Sequence, residues 1–203
     1  MIKKIAVYVL VAAVGAGLMA TTQAMSQEGK QPSGPDMDQM MKMYEKLGAP
    51  GPEHAHFAEA VGTWKTETKM WMGPGEPSVS TGTSKMEVIF GGRFMKEDFR
   101  CTMMDKPFQG LALAGYDNIK KKHVTVWLDN SSTGIMLMEG TYDEATKTWT
   151  SYGDYEDPFT GPTKMKNVCR EIDKDTYIVE MYKIGTGGQE QKEMEITYTR
   201  QPS

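Results

Sequence analysis

The chain has 203 residues, with 23 Lys plus Arg against 27 Asp plus Glu and a formal charge of −4, a length that suits one domain or one domain with a tail. The mildly acidic balance, without a clustered basic stripe, argues against nucleic acid as a partner. Two Cys are too few for a Cys₄ zinc site, and the outlying count is Met, at 18.

Lys3 and Lys4 precede a stretch, Ile5 to Ala20, without a charge, and Thr22-Gln23-Ala24 places small residues three and one positions before a cleavage point. This predicts a secretory signal peptide over residues 1–24 and export to the periplasm or beyond. The apolar run is short for a membrane span, so no stable span is expected once it is removed; the rival reading is an uncleaved N-terminal anchor. Met25 to Pro35 is polar and rich in Gly, Ser and Pro, and reads as a linker. Asp36 is placed to cap a helix from Met37 to Leu47 that Gly48 ends, so residues 25–49 form a linker and short helix. Met37, Met40, Met41 and Tyr44 recur at helical spacing, which predicts a packing stripe or a frayed tail. The same run, with Met43, His54 and His56, also offers soft ligands of the kind Cu(I) takes; the spacing explains the pattern without a metal.

After Pro50-Gly51-Pro52 a helical turn or two is expected from Glu53 to Val61. The texture then changes to short alternating runs: 64–72, 84–90, 94–103, 108–117, 123–130, 134–142, 148–154, 163–172, 176–184 and 192–200, separated by clusters such as Asp117-Asn118 and Asp143-Glu144-Ala145-Thr146. About ten strands with no intervening helical pattern predict an all-β domain over residues 50–201, a single antiparallel β-barrel or sandwich. Alternation assigns the faces. Met86, Val88 and Phe90 share one; Met95, Glu97, Phe99, Cys101 and Met103 another; Val124, Val126 and Leu128 a third; Met194, Ile196, Tyr198 and Arg200 a fourth.

The candidate barrel lining is Met70, Met86, Phe90, Met95, Glu97, Phe99, Met103, Met181, Met194 and Tyr198, with Met72 and Met165 also on apolar faces. Thioethers suit an irregular apolar ligand, and most are expected to fill the interior, leaving a modest cavity at one end. Glu97 is an inward carboxyl that would anchor a ligand amine or hydroxyl, pair with Arg93, or sit at the rim. Cys101 and Cys169 read either as one disulfide, which an exporting route permits, or as two buried thiols. Asp154, Glu156 and Asp157 match no calcium loop and read as solvated acids; Gly91-Gly92 reads as a tight hairpin. No hydrolase elbow, phosphate loop or metalloprotease helix occurs.

Gly62-Thr63-Trp64 at the start of the first strand and Tyr198-Thr199-Arg200 at the end of the last resemble the calycin (lipocalin-like) signature. The resemblance implies that an arginine of the final strand covers the tryptophan, and Arg200 has the right parity to stack on the indole. More closely, the chain resembles the bacterial domain of unknown function 1579 family. The matching stretches are Gly51-Pro52-Glu53-His54, Gly62-Thr63-Trp64, Gly91-Gly92-Arg93-Phe94, Gly115-Tyr116-Asp117-Asn118, Trp127-Leu128-Asp129 and Asp157-Pro158-Phe159-Thr160-Gly161. That likeness implies a barrel and export, and no activity. Nitrobindin-type calycins, distantly similar, hold haem through a late histidine. Here no His follows His123, and only a Met such as Met181 or Met194 would substitute, so no cofactor and no metal are expected.

The functional expectation is non-catalytic binding of a small, largely apolar ligand. The alternatives are an enzyme using Glu97 or His123 as acid/base on a lipid-like substrate, and a packed barrel working as a structural or interaction module.

Overall fold

A computed structural model describes residues 34, 36–185 and 187–202. The expected signal peptide and nearly all of the linker lie outside them. Helix α1 runs Met37–Gly48, a 3₁₀ turn Pro52–His54 leads into α2, Ala55–Ala60, and ten strands follow. They are β1 Gly62–Met70, β2 Ser78–Ile89, β3 Phe94–Met103, β4 Lys106–Asp117 and β5 Lys122–Asp129; then β6 Met136–Asp143, β7 Thr148–Asp157, β8 Gly161–Asp173, β9 Thr176–Ile184 and β10 Glu190–Arg200.

The strands form a closed antiparallel meander in which each pairs with its sequence neighbours and β1 pairs with β10. Closure leaves no open sheet edge. The seam is in register from Trp64↔Arg200 to Met70↔Met194. An outer ion chain reinforces it: Lys69 Nζ lies 3.2 Å from Glu195, Lys192 Nζ bonds both Glu195 (2.8 Å) and Glu180 (2.6 Å), and Arg170 pairs with Glu180.

The Asp-led clusters do turn the chain. The carboxylates of Asp117, Asp129, Asp143 and Asp157 each accept the backbone N–H groups two and three residues on. Such Asx turns are local chemistry, which is why these hairpins were visible in the sequence.

Several expectations are corrected. Asp36 occupies the N-cap position of α1 but makes no side-chain capping bond. The Met stripe of α1 puts no side chain into the core: Met37, Met41 and Tyr44 are exposed and Met40 is half-buried, and the helix is held at its C-terminal end, where Asn118 Nδ2 donates to Leu47 O and Ala49 O and Arg93 Nε donates to Gly48 O. Phe90 lies in the β2–β3 turn at φ 50° and is 74% exposed, and Met72 falls beyond the end of β1, also exposed; neither lines the barrel. On β5 the aliphatic face (Val124, Val126, Leu128) is the outer one, and His123, Thr125, Trp127 and Asp129 point inward. Cys101 on β3 and Cys169 on β8 are free thiols, five strands apart in either direction round the ring. With strands about 4.8 Å apart the barrel is at least about 15 Å across, well beyond a disulfide's reach.

Candidate functional site

One end of the barrel is covered by the 3₁₀ turn and α2. Trp64, 2% exposed, donates from Nε1 to Ala60 O (3.0 Å), and the Arg200 guanidinium sits 4.1 Å from its ring centre. Arg200 also donates to Val61 O (2.7 Å) and Glu59 O (2.6 Å), so these two side chains satisfy three consecutive carbonyls at the end of α2. Gly62 is required between them: its φ is 143°, and a Cβ there would lie 2.9 Å from Arg200 Nη1. The stacking expected from the resemblance is therefore present, and it clamps the cap to the barrel.

The chain's three histidines gather at this end. His54, buried, accepts the Gly51 N–H on Nδ1 (3.0 Å) and sets its ring edge against Phe57 and Tyr116. His56 packs on Tyr142 and Trp149, and His123 Nε2 is 3.6 Å from a Glu53 carboxylate oxygen. Burial holds the His123 imidazole below its ordinary range against the pull of Glu53. Among the described residues no group of three or more His, Cys, Asp or Glu side chains is arranged to hold a metal ion.

Beneath the cap the interior is not filled. A cavity of about 790 Å³ runs from Phe57 at the capped end to Met103, Met136 and Met165 towards the other, larger than the modest space expected at one end. Its volume is in the range of small-molecule sites. The space arises from β4, whose inward positions after Phe108 are Gly110, Ala112 and Ala114, small side chains facing a barrel lined elsewhere by long ones. Gly110 also makes room for Trp127, whose ring would overlap any Cβ placed there, and Trp127 stacks on Phe108 at 6.4 Å and 19°.

Of the expected lining, Met70, Met86, Met95, Glu97, Phe99, Met103, Met181, Met194 and Tyr198 all face this cavity. Met70, Met194 and Met181 are cross-strand neighbours on three adjacent strands. The sequence reading missed Phe108, Trp127, Met136, Trp149, Asn167 and Tyr177 as wall residues. The signal for Met136 was there, since it begins an alternating strand. The signal for Trp127 was masked by the outward aliphatics between which it sits.

Glu97 lies in a cross-strand row with Met86, Ala112, Trp127 and Met136 and is buried. Ser84 Oγ donates to its Oε1 at 2.7 Å and Tyr198 OH donates to the same oxygen at 3.1 Å. Arg93, the expected alternative partner, is spent on the carbonyls of Gly48 and Phe90. Burial raises the Glu97 carboxyl above the usual carboxylate range, and the two hydrogen bonds offset this only in part. The tyrosine ring stacks on Tyr177 at 4.4 Å, whose hydroxyl donates to Met86 Sδ at 3.2 Å. Cys169, whose free surface opens on the cavity, has its thiol pushed up to about 12 by burial and so is not a thiolate nucleophile.

A carboxyl whose folded value is raised binds its proton longer in the native state than in the unfolded one. Its stabilising contribution is complete below the ordinary value near 4.5 and is lost as pH rises through the folded value. The Glu97→Gln variant should therefore gain on the wild type in denaturant titrations as pH rises above 4.5. Each pH unit between the two values adds about 1.4 kcal/mol to the difference. A wild-type-minus-variant difference that stays flat from pH 4 to 8 would show that folding leaves the Glu97 carboxyl at its ordinary value. His123 has the opposite sign, losing stability as pH falls through 6.5, and cancels in that difference.

Solved structures of similar fold include Rv2717c from M. tuberculosis, with a TM-score of 0.54 and 13% identity, covering 76% of this chain and 100% of that one. A de novo designed fluorescence-activating beta barrel matches with a TM-score of 0.41 and 12% identity over 71% of this chain and 95% of that one. At such identities the likeness concerns fold alone. No curated protein matches the chain. The model of DUF1579, a protein of unknown function, matches residues 49–200, from the loop before the cap to the arginine that clamps it. A ten-stranded barrel closed by a Gly62/Trp64/Arg200 clamp is thus the form this sequence takes, and the chain belongs to the DUF1579 family.

Proposed function

We propose that the barrel binds a small, largely apolar ligand in its interior, without catalysis, as an exported protein. The observation that carries the reading is the 790 Å³ cavity itself, walled by eight methionines together with Phe99, Phe108 and Trp127. A wall of flexible, polarisable thioethers adapts to an irregular apolar shape at low cost. A structural module would gain nothing from this void, since unfilled space forfeits packing. The capped end offers His123, but its imidazole faces Glu53 and is packed among the rings of Phe57, Tyr116 and Trp149.

The test is native mass spectrometry of protein recovered, without denaturation, from a cell that exports it. A reproducible added mass released on unfolding supports the reading, and the mass of a chain beginning at Met25 would establish export and cleavage. A clean unliganded mass, together with no uptake of apolar probes by the purified barrel, would refute the binding role.

A further inference from the structure

Both protein hydrogen bonds to Glu97 converge on Oε1, from Ser84 Oγ and from Tyr198 OH. Burial, with no cation beside the group, favours the acid form, and in that form the oxygen that accepts two donors is the carbonyl oxygen and the proton resides on Oε2. Oε2 has no hydrogen-bond partner among the described residues. Among the described residues the fully occluded unpaired side-chain atoms are Thr66 Oγ1, Thr68 Oγ1, His123 Nε2 and Asn167 Oδ1. Glu97 Oε2 is not one of them, so it keeps accessible surface, and the space this buried side chain lines is the cavity.

We propose that the cavity selects ligands with an apolar body and one uncharged hydrogen-bond acceptor, a ketone or ester carbonyl oxygen, which takes the O–H of Glu97 Oε2. This rests on the ligand-binding reading above and names the class of ligand.

The surroundings exclude the charged alternatives. Facing Glu97 are Ser84 from β2, Tyr198 from β10, Tyr177 from β9 and Cys169 from β8, while Cys101, further along its own strand, lies near Tyr198. Asp98, Lys85 and Lys96 belong to the outer face of the same wall, where they pair with one another and with Glu87. The Lys and Arg side chains on the cavity wall are Lys174 and Arg200, both at the capped end, where Arg200 is held by backbone carbonyls and Asp175. A carboxylate ligand seated beside Glu97 therefore meets no cation. An amine would take its proton and leave an ion pair in an apolar chamber, which repays its desolvation poorly. A plain hydrocarbon leaves the O–H unpaired. Only a neutral acceptor satisfies the group as it stands.

The groups facing Glu97 that share its environment stay neutral across the working range: burial lifts Tyr177 and Tyr198 well above 10 and Cys169 to about 12. Of the other groups that burial displaces towards neutrality, His123 faces Glu53, His54 and His56 at the cap, and Glu193 lies by Lys183 and Asp157. The pH response of carbonyl selection thus belongs to Glu97.

The test uses the purified chain and a neutral fluorescent reporter, N-phenyl-1-naphthylamine, displaced by four matched probes: undecane, undecan-2-one, undecylamine and undecanoic acid. At pH 5 the ketone should displace the reporter at about one tenth of the concentration of the alkane or lower, and ahead of the amine and the acid. Raising the pH should weaken ketone binding and leave the alkane unchanged. Glu97→Gln keeps an N–H donor at the same place, so it should retain the ketone preference and lose its pH dependence. Glu97→Leu should bind ketone and alkane alike; if it does not fold, the glutamine variant carries the comparison. Equal displacement by ketone and alkane in the wild type, or a pH response that survives in Glu97→Gln, overturns the proposal while leaving ligand binding intact. Failure of the reporter and of every probe to bind removes both.

Discussion

Trp64→Ala is expected to cost about 3–5 kcal/mol of folding stability, the range for emptying a buried aromatic site. The indole is 2% exposed and fills the junction between barrel and cap. It packs edge-on against Tyr177 at 4.7 Å, supports the Arg200 guanidinium at 4.1 Å and donates to Ala60 O. Removing it opens a void, deprives Arg200 of its stacking surface and leaves the Ala60 carbonyl unpaired at the end of α2. Trp64→Phe separates these terms: it restores most of the apolar bulk and should cost less, since only the hydrogen bond and part of the ring are lost. Denaturant titration with circular dichroism at neutral pH measures both. An alanine variant that unfolds at the wild-type midpoint would show that the cap does not depend on this clamp.

The second large effect is expected at a glycine that carries no φ requirement at all. A Cβ on Gly140 would sit 2.6 Å from Ser151 Cα and Cβ and nearer still to Thr150 O, all on the neighbouring strand β7. Backbone cannot rotate aside as a side chain does, so Gly140→Ala must push β6 and β7 apart where Gly140 pairs with Ser151. The expected loss is about 1–3 kcal/mol or more, for the addition of one methyl group. Gly134→Ala, in the β5–β6 loop, is the matched control: its Cβ would meet only Ser132 Oγ, at 3.9 Å, and the substitution should be near neutral. Equal melting of the two variants would mean that β6 and β7 yield without cost. Gly82 is a parallel case on another wall, where the added carbon would lie 2.7 Å from Cys101 Cβ.

Most strands were legible because period-two alternation and Asp-led turns are local signals. Thr176–Ile184 is found with the expected bounds, and β3 from Phe94 to Met103 likewise. The first half of β2, Ser78 to Thr83, was not, because Ser-Val-Ser-Thr-Gly-Thr has no apolar face; it is a strand because β1 lies beside it, pairing Met70 with Ser78 through Lys65 with Thr83. Phe90 and Met72 were misplaced for a converse reason. Apolar residues on a surface are common, and apolarity alone does not place a side chain inside. On β5 the aliphatic residues misled for the same reason, with Trp127 holding the inner face.

What the sequence determined by itself was the alternation that makes a β-barrel, the inward parity of Glu97 and the thioethers, and the Gly-x-Trp and terminal Arg that tie its ends together. The alternation and the parity depend on neighbours two residues apart, whereas the pairing of Trp64 with Arg200, at opposite ends of the barrel sequence, was implied by the family resemblance. The tertiary structure decided everything that depends on which strand stands beside which. Ring closure sets Cys101 and Cys169 across the barrel from one another, and places the small side chains of β4 before the long ones opposite, so that a cavity remains. It brings Ser84 and Tyr198, 13 and 101 residues away in the chain, to the same oxygen of one carboxyl. Cross-strand neighbours are fixed by register and closure, and neither is written in the spacing of residues along a single strand.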